Sequence, residues 1–132
     1  MMRALPALVL LSCLAQPAVA QDCGDTQADL NACAGAIFKQ ADTELNAAYR
    51  QITARLAQNG AARRALVEAQ RAWIGFRDAE CNFATIGTEG GSARPMLSFG
   101  CAEDLTRRRI ADLRGYMKCG PGGACAAPPR GR

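Results

Sequence analysis

No glycine or proline interrupts the chain from Ala36 to Asn59. Leu30, Ile37, Ala41, Leu45, Ala48, Ile52 and Leu56 recur through this region at helical spacing. The period puts these side chains on one face of an α-helix and predicts a long helix over residues 26–58. Thr26 with Asp29 three residues later has the form of a capping box, and Asp29 suits the positive end of the helix dipole. Asn59-Gly60 is the expected stop, because either residue tolerates the left-handed conformation that terminates helices. A helix with one apolar face needs other elements to cover it. The rest of the chain is read as that cover.

A second helix is expected at once, over residues 61–84. A two-residue connection sends it back antiparallel along the first. It contains the single tryptophan, and Leu66, Ala69, Trp73, Phe76 and Phe83 share one predicted face, opposite Glu68, Arg71, Asp78 and Glu80. Centring the turn between Asn59 and Gly60 puts residues whose numbers sum to about 119 at the same height. Asp42 then meets Arg77, Asn46 meets Trp73, and Tyr49 meets Gln70. Asp42, Asn46, Tyr49, Trp73, Phe76 and Arg77 are thus the expected structural core and ion pair, with the Asp42–Arg77 pair setting register more than stability.

Residues 85–100 contain Gly87, Gly90, Gly91, Pro95 and Gly100 without periodicity, and read as a long loop. Loops of this length in compact domains are commonly functional. A third helix is expected over residues 102–118, with Glu103 and Asp104 in its first turn and Arg114 and Lys118 in its last, as the dipole favours. Leu105, Ile110, Leu113 and Met117 would face the first two helices. Gly120-Pro121 ends this helix, and residues 119–132 form a Gly/Pro-rich tail expected to be flexible. No internal repeat is visible. The fold class is therefore all-α, a disulfide-stapled antiparallel helical hairpin plus a third packed helix, in one domain over residues 21–118.

Residues 1–20 are set apart from that domain. Arg3 gives a positive start, residues 4–14 are apolar, and Ala18-Val19-Ala20 supplies small residues before Gln21, the pattern of a secretory signal peptide too short to span a membrane. Leu10-Leu11-Ser12-Cys13 loosely matches a lipoprotein cleavage box, so anchoring at Cys13 is the alternative to a periplasmic or secreted protein. Without the leader, 112 residues remain, enough for one small domain. Six cysteines remain with them: Cys23, Cys33, Cys81, Cys101, Cys119 and Cys125. An even count in a short exported chain reads as a disulfide framework. A zinc site is disfavoured by the lack of histidine and of any CxxC pair. The chain start, the end of helix two and the start of helix three fall at one end of the hairpin. The preferred pairing is therefore Cys23–Cys33, Cys81–Cys101 and Cys119–Cys125, with crossed pairings such as Cys33–Cys81 left open.

The net charge of +4 falls to +3 once Arg3 is removed. This is well short of a nucleic-acid-binding signature, and Arg107-Arg108-Arg109, the one basic run, points in three directions on a helix. Catalysis is not expected: there is no histidine to act as a general base, and oxidised cysteines are not nucleophiles. The neighbouring carboxylates Asp78 with Glu80 and Glu103 with Asp104 read as solvated charge. Gly90-Gly91-Ser92 lacks the strand and lysine of a phosphate-cradling loop and reads as a flexible turn. No cofactor is called for.

The combined spacing of these residues resembles the domain family named for the mycobacterial lipoprotein lysozyme inhibitor LprI. The matching positions are Cys23, Cys33, Asp42, Leu45, Asn46, Tyr49, Ala69, Gln70, Arg71, Trp73, Phe76, Arg77, Asp78, Cys81, Gly90, Gly91, Ser92, Cys101, Thr106 and Arg109. They extend over nearly the whole mature chain, while Cys119, Cys125 and the tail lie outside the pattern. The resemblance implies an exported, non-enzymatic protein that inhibits lysozyme or another muramidase, and no nucleic-acid partner. Glu89, Gly90, Gly91, Ser92 and Arg94 are the candidate partner-binding loop, with Glu89 the residue placed to enter an enzyme cleft. The alternative is a non-enzymatic envelope module for anionic wall polymer or an envelope protein, motivated by the mild positive charge and the Arg107–Arg109 run.

Overall fold

The computed structural model describes residues 22–118. The expected leader, Cys13, Cys119, Cys125 and the tail from residue 119 lie outside the described residues. Three helices account for most of the rest: α1 (Gln27–Arg55), α2 (Gly60–Ala84) and α3 (Arg94–Tyr116), with a single 3-10 turn at Ile86–Thr88. None is long and apolar enough to cross a membrane.

The start of α1 follows from its capping box. The Thr26 side chain accepts from the Asp29 amide at 3.1 Å, and the Asp29 carboxylate accepts from the Thr26 amide at 3.3 Å. Its end differs from expectation. The helix stops at Arg55, three residues early, and Leu56 closes it with backbone bonds to Ile52 and Ala54. Neither Asn59 nor Gly60 is left-handed, since the described residues with positive φ are Gly24 and Gly90. Asn59 instead starts α2, its side-chain oxygen accepting from the Ala62 amide at 3.0 Å. Asparagine is as good an N-cap as it is a helix stop, and here the N-cap role prevailed.

The larger correction concerns α3, which begins at Arg94 and not at residue 102. Pro95 lies in its first turn, where a missing amide costs nothing and the fixed φ suits a helix. The proline marks an entry to the helix, not a break. The connection between α2 and α3 therefore shrinks to residues 85–93.

The core lies chiefly between α1 and α3, which pack more extensively on each other than either does on α2. Leu45, Ala48 and Ile52 of α1 and Leu56 just past its end meet Ile110 and Leu113 of α3, all nearly excluded from solvent. Tyr49, Ala62, Leu66, Trp73 and Met117 pack around them. Truncating a side chain such as Leu45 to alanine would remove about 2–5 kcal/mol of stability. The buried residues of α2 are Gln70, Arg77 and Cys81. Phe76 and Phe83 are not in the core: they are 52% and 73% exposed. At about 100° per residue, Phe83 has turned roughly 80° from Trp73, so the apolar series drifts off the buried face.

Candidate partner-binding site

The start of α1, the end of α2 and the start of α3 are tied together by covalent and polar links. Cys23 bridges Cys33, with their Cα atoms 5.4 Å apart, and Cys81 bridges Cys101 at 5.6 Å. The second bridge links α2 to α3 beneath residues 85–93. Buried Thr85 donates its hydroxyl to the Cys81 carbonyl at 2.8 Å and lies 3.2 Å from the Ser98 hydroxyl. Thr88 returns a hydroxyl bond to the Thr85 carbonyl at 2.7 Å.

Asn31 on α1 holds the far side of the loop. Its side-chain amide donates to the Ser92 carbonyl at 3.0 Å, and its oxygen accepts from the Met96 amide at 3.1 Å. The second bond satisfies a free donor in the first turn of α3, the role a capping residue of α3 itself would otherwise fill. Gly90 is at φ +73°, where a side chain would be strained, and a Cβ at Gly91 would come within 3.1 Å of the Thr88 carbonyl oxygen. The tip is thus a fixed turn, not the flexible one expected from its glycines.

Glu89, Gly90, Gly91 and Ser92 are exposed at this tip. Arg94 lies beneath them as the first residue of α3. Its guanidinium pairs with Glu89 at 3.1 Å and donates to the Asn82 side chain at 2.9 Å. Asn31, Asn82, Thr85 and Ser98, which hold the loop, were not singled out by the sequence; a polar residue on a helix gives no sign of a partner sixty positions away.

Farther down the bundle, the space between α2 and the other two helices is filled by arginine planes and rings. The Arg77 guanidinium lies over Phe38 at 5.2 Å and over Trp73 at 5.4 Å, and Arg109 lies over Trp73 at 5.9 Å. Phe38 stacks on Phe99. Arg77 reaches Asp42 at 3.5 Å, while Arg109 donates to Gln70 at 3.1 Å. Asn46 is exposed and bonds Asp42 at 3.1 Å, so it orients the carboxylate and does not share the tryptophan's surroundings. This layer accounts for most of the polar and aromatic positions in the motif, and for the wide separation of α2 from α1. Its upper edge reaches the loop supports, since Phe38, Arg77 and Phe99 line one cleft with Asn82 and Ser98.

Charge is segregated along the bundle. The loop end carries exposed Asp22, Asp25, Asp29, Glu80 and Glu89 beside Arg94. The opposite end, around the α1–α2 turn, carries Arg50, Arg63, Arg64, Arg114 and Lys118, partly offset by Glu68, Asp112 and the Glu44 carboxylate 3.7 Å from Arg114. The Arg107–Arg109 run is not a basic patch: Arg107 pairs with Glu103, Arg108 pairs with Asp104, and Arg109 is buried. Hydrogen bonding and attraction by Glu103 raise the Arg107 guanidinium above its ordinary value.

The chain matches the family described as lysozyme inhibitor LprI over residues 19–113. It is also 43% identical to an uncharacterised protein of Rhizobium meliloti, over 89% of this chain and 97% of that relative. No solved structure matches it.

Proposed function

The chain belongs to the lysozyme inhibitor LprI family, and we propose that it is an exported, non-catalytic protein that binds a muramidase through its disulfide-tied loop end. Family membership carries the reading. Two bridges between the described cysteines favour an oxidising compartment outside the cytoplasm. The geometry adds a constrained tip, whose binding would cost little ordering entropy. The acidic loop end removes an electrostatic objection: a protein of net +3 repels a basic enzyme on average, yet it presents that enzyme with carboxylates at one end. The anionic-polymer alternative loses its basic run, because Glu103 and Asp104 engage Arg107 and Arg108.

The test is titration of the processed, oxidised protein into two lysozyme reactions, lysis of cell walls and cleavage of a soluble oligosaccharide. Slowing of both is expected from binding to the enzyme. Protection of walls alone would replace this reading with coating of the substrate, and no effect on either would remove muramidase binding.

A further inference from the structure

The outward face of α2 is apolar for most of its length. Ala65, Ala72 and Ala79 repeat every seven residues, and Ile86 continues their row into the 3-10 turn. Ala69, Phe76 and Phe83 form a second row four positions on. All are exposed, Phe76 by 52%, Phe83 by 73% and Ile86 by 50%. Two rows alternately four and three residues apart make the seam of a coiled coil. Here one row is mainly small and the other mainly large. Gln70, Arg77 and Cys81 point the opposite face of the helix into the molecule, so among the described residues nothing covers the seam.

We infer that α2 pairs antiparallel with α2 of a second copy of this chain. If residues summing to 155 lie at the same height, Phe76 faces Ala79 of the second copy, Phe83 faces Ala72, and Ile86 faces Ala69. Every large side chain then meets a small one. A parallel pair would set phenylalanine against phenylalanine and leave the alanine layers hollow, which close packing disfavours. Slipping the antiparallel pair by seven residues, to a sum of 148, brings Glu68 opposite Glu80.

The charge distribution selects the same direction. An antiparallel pair sets the acidic loop end of one copy beside the basic turn end of the other, with Arg63 and Arg64 in the first turns of one α2 at the end where the other α2 runs into the loop that carries Glu89. A parallel pair would bring like ends together. The inference is argued from the α2 face and does not depend on the muramidase reading, although the pairing brings a second copy beside the loop end.

The test is sedimentation of the processed, oxidised protein over a range of concentrations. A reversible dimer is expected. Ala72→Arg and Phe83→Glu should each weaken it roughly tenfold or more, because each leaves a charge on an apolar seam. Both positions are exposed, so far-UV dichroism should match the parent, and so should thermal unfolding at concentrations low enough for the parent to be monomeric. Positions 72 and 83 face each other in this register alone, so an equimolar mixture of the two variants should recover the dimer. A parent that stays monomeric would overturn the inference, as would a dimer indifferent to both substitutions or a mixture that stays monomeric. Anionic phospholipid vesicles are the remaining arm: binding that is lost in Phe83→Glu, with no dimer in the parent, would assign the face to a membrane surface instead.

Discussion

Asp42 on α1 and Arg77 on α2 face each other at 3.5 Å, and each also has a second polar partner, Asn46 for Asp42 and Asp78 for Arg77. Arg77 makes two shorter contacts with its chain neighbour Asp78, at 2.9 Å from Nε and 2.8 Å from Nη2. The same guanidinium lies over Phe38 and Trp73. The two partners of the ion pair therefore differ in what they support.

Replacing Asp42 by alanine is expected to cost about 1–2 kcal/mol. Arg77 keeps Asp78 through Nε and Nη2, but its buried Nη1 loses the carboxylate 3.5 Å away. Replacing Arg77 by alanine is expected to cost about 2–4 kcal/mol, because it also removes a buried stem and two cation–π contacts. Urea unfolding of both variants checks this. Equal losses would mean that the pair, and not the packing of Arg77, holds the helices in register.

Thr106 is fully buried on α3, and its hydroxyl has no hydrogen-bond partner among the described residues. A desolvated hydroxyl without compensation is unfavourable, and valine has nearly the same shape. Thr106→Val is expected to stabilise by about 1 kcal/mol. A melting temperature that falls would reveal a partner for the hydroxyl, such as a buried water.

The Cys81–Cys101 bridge closes a segment with a sequence separation of 20. In the chain-entropy account it stabilises by about 3 kcal/mol. Replacing both cysteines by alanine should lower global stability by that order. Asn31→Ala should act locally, since it frees the Ser92 carbonyl and the Met96 amide but leaves the bridge. Hydrogen exchange is expected to speed up at the start of α3 in the Asn31 variant, with the α1–α3 core amides unchanged. Uniform loss of protection would show that Asn31 supports the whole fold.

The helices could be read from the sequence where one signal acted alone. Leu45, Ala48, Ile52 and Leu56 kept a clean period, and they are the core of α1. Thr26 and Asp29 formed a cap recognisable from spacing. The reading failed where one residue type serves two purposes. Pro95 reads as part of a loop, yet it sits in the first turn of α3; Asn59 reads as a stop, yet it caps the next helix. Phe76 reads as core from its three-residue spacing to Trp73, yet it lies on the outer edge of that face and is half exposed. The supports of the loop were hidden for another reason: Asn31, Thr85 and Ser98 act through tertiary hydrogen bonds, which leave no periodic trace.

Glu89 is the residue on which the proposed partner surface can be tested most sharply. Its carboxylate is 64% exposed and pairs with Arg94, so half of the local charge is already compensated. Replacing it by alanine removes the carboxylate nearest the tip and releases Arg94, so the loop end stays acidic but its tip carries an unpaired cation. Against a basic muramidase, Glu89→Ala is expected to weaken inhibition roughly two- to fivefold, and Glu89→Lys roughly three- to tenfold. The loss should appear mainly in the association rate and shrink as salt is raised, because an exposed charge steers encounter more than it holds the complex. Arg94 is the control. Arg94→Gln removes the competing cation, keeps a hydrogen bond within reach of Asn82, and should strengthen inhibition. Stopped-flow association at two salt concentrations measures all three variants. Unchanged rates in all three would take the loop tip out of the interface.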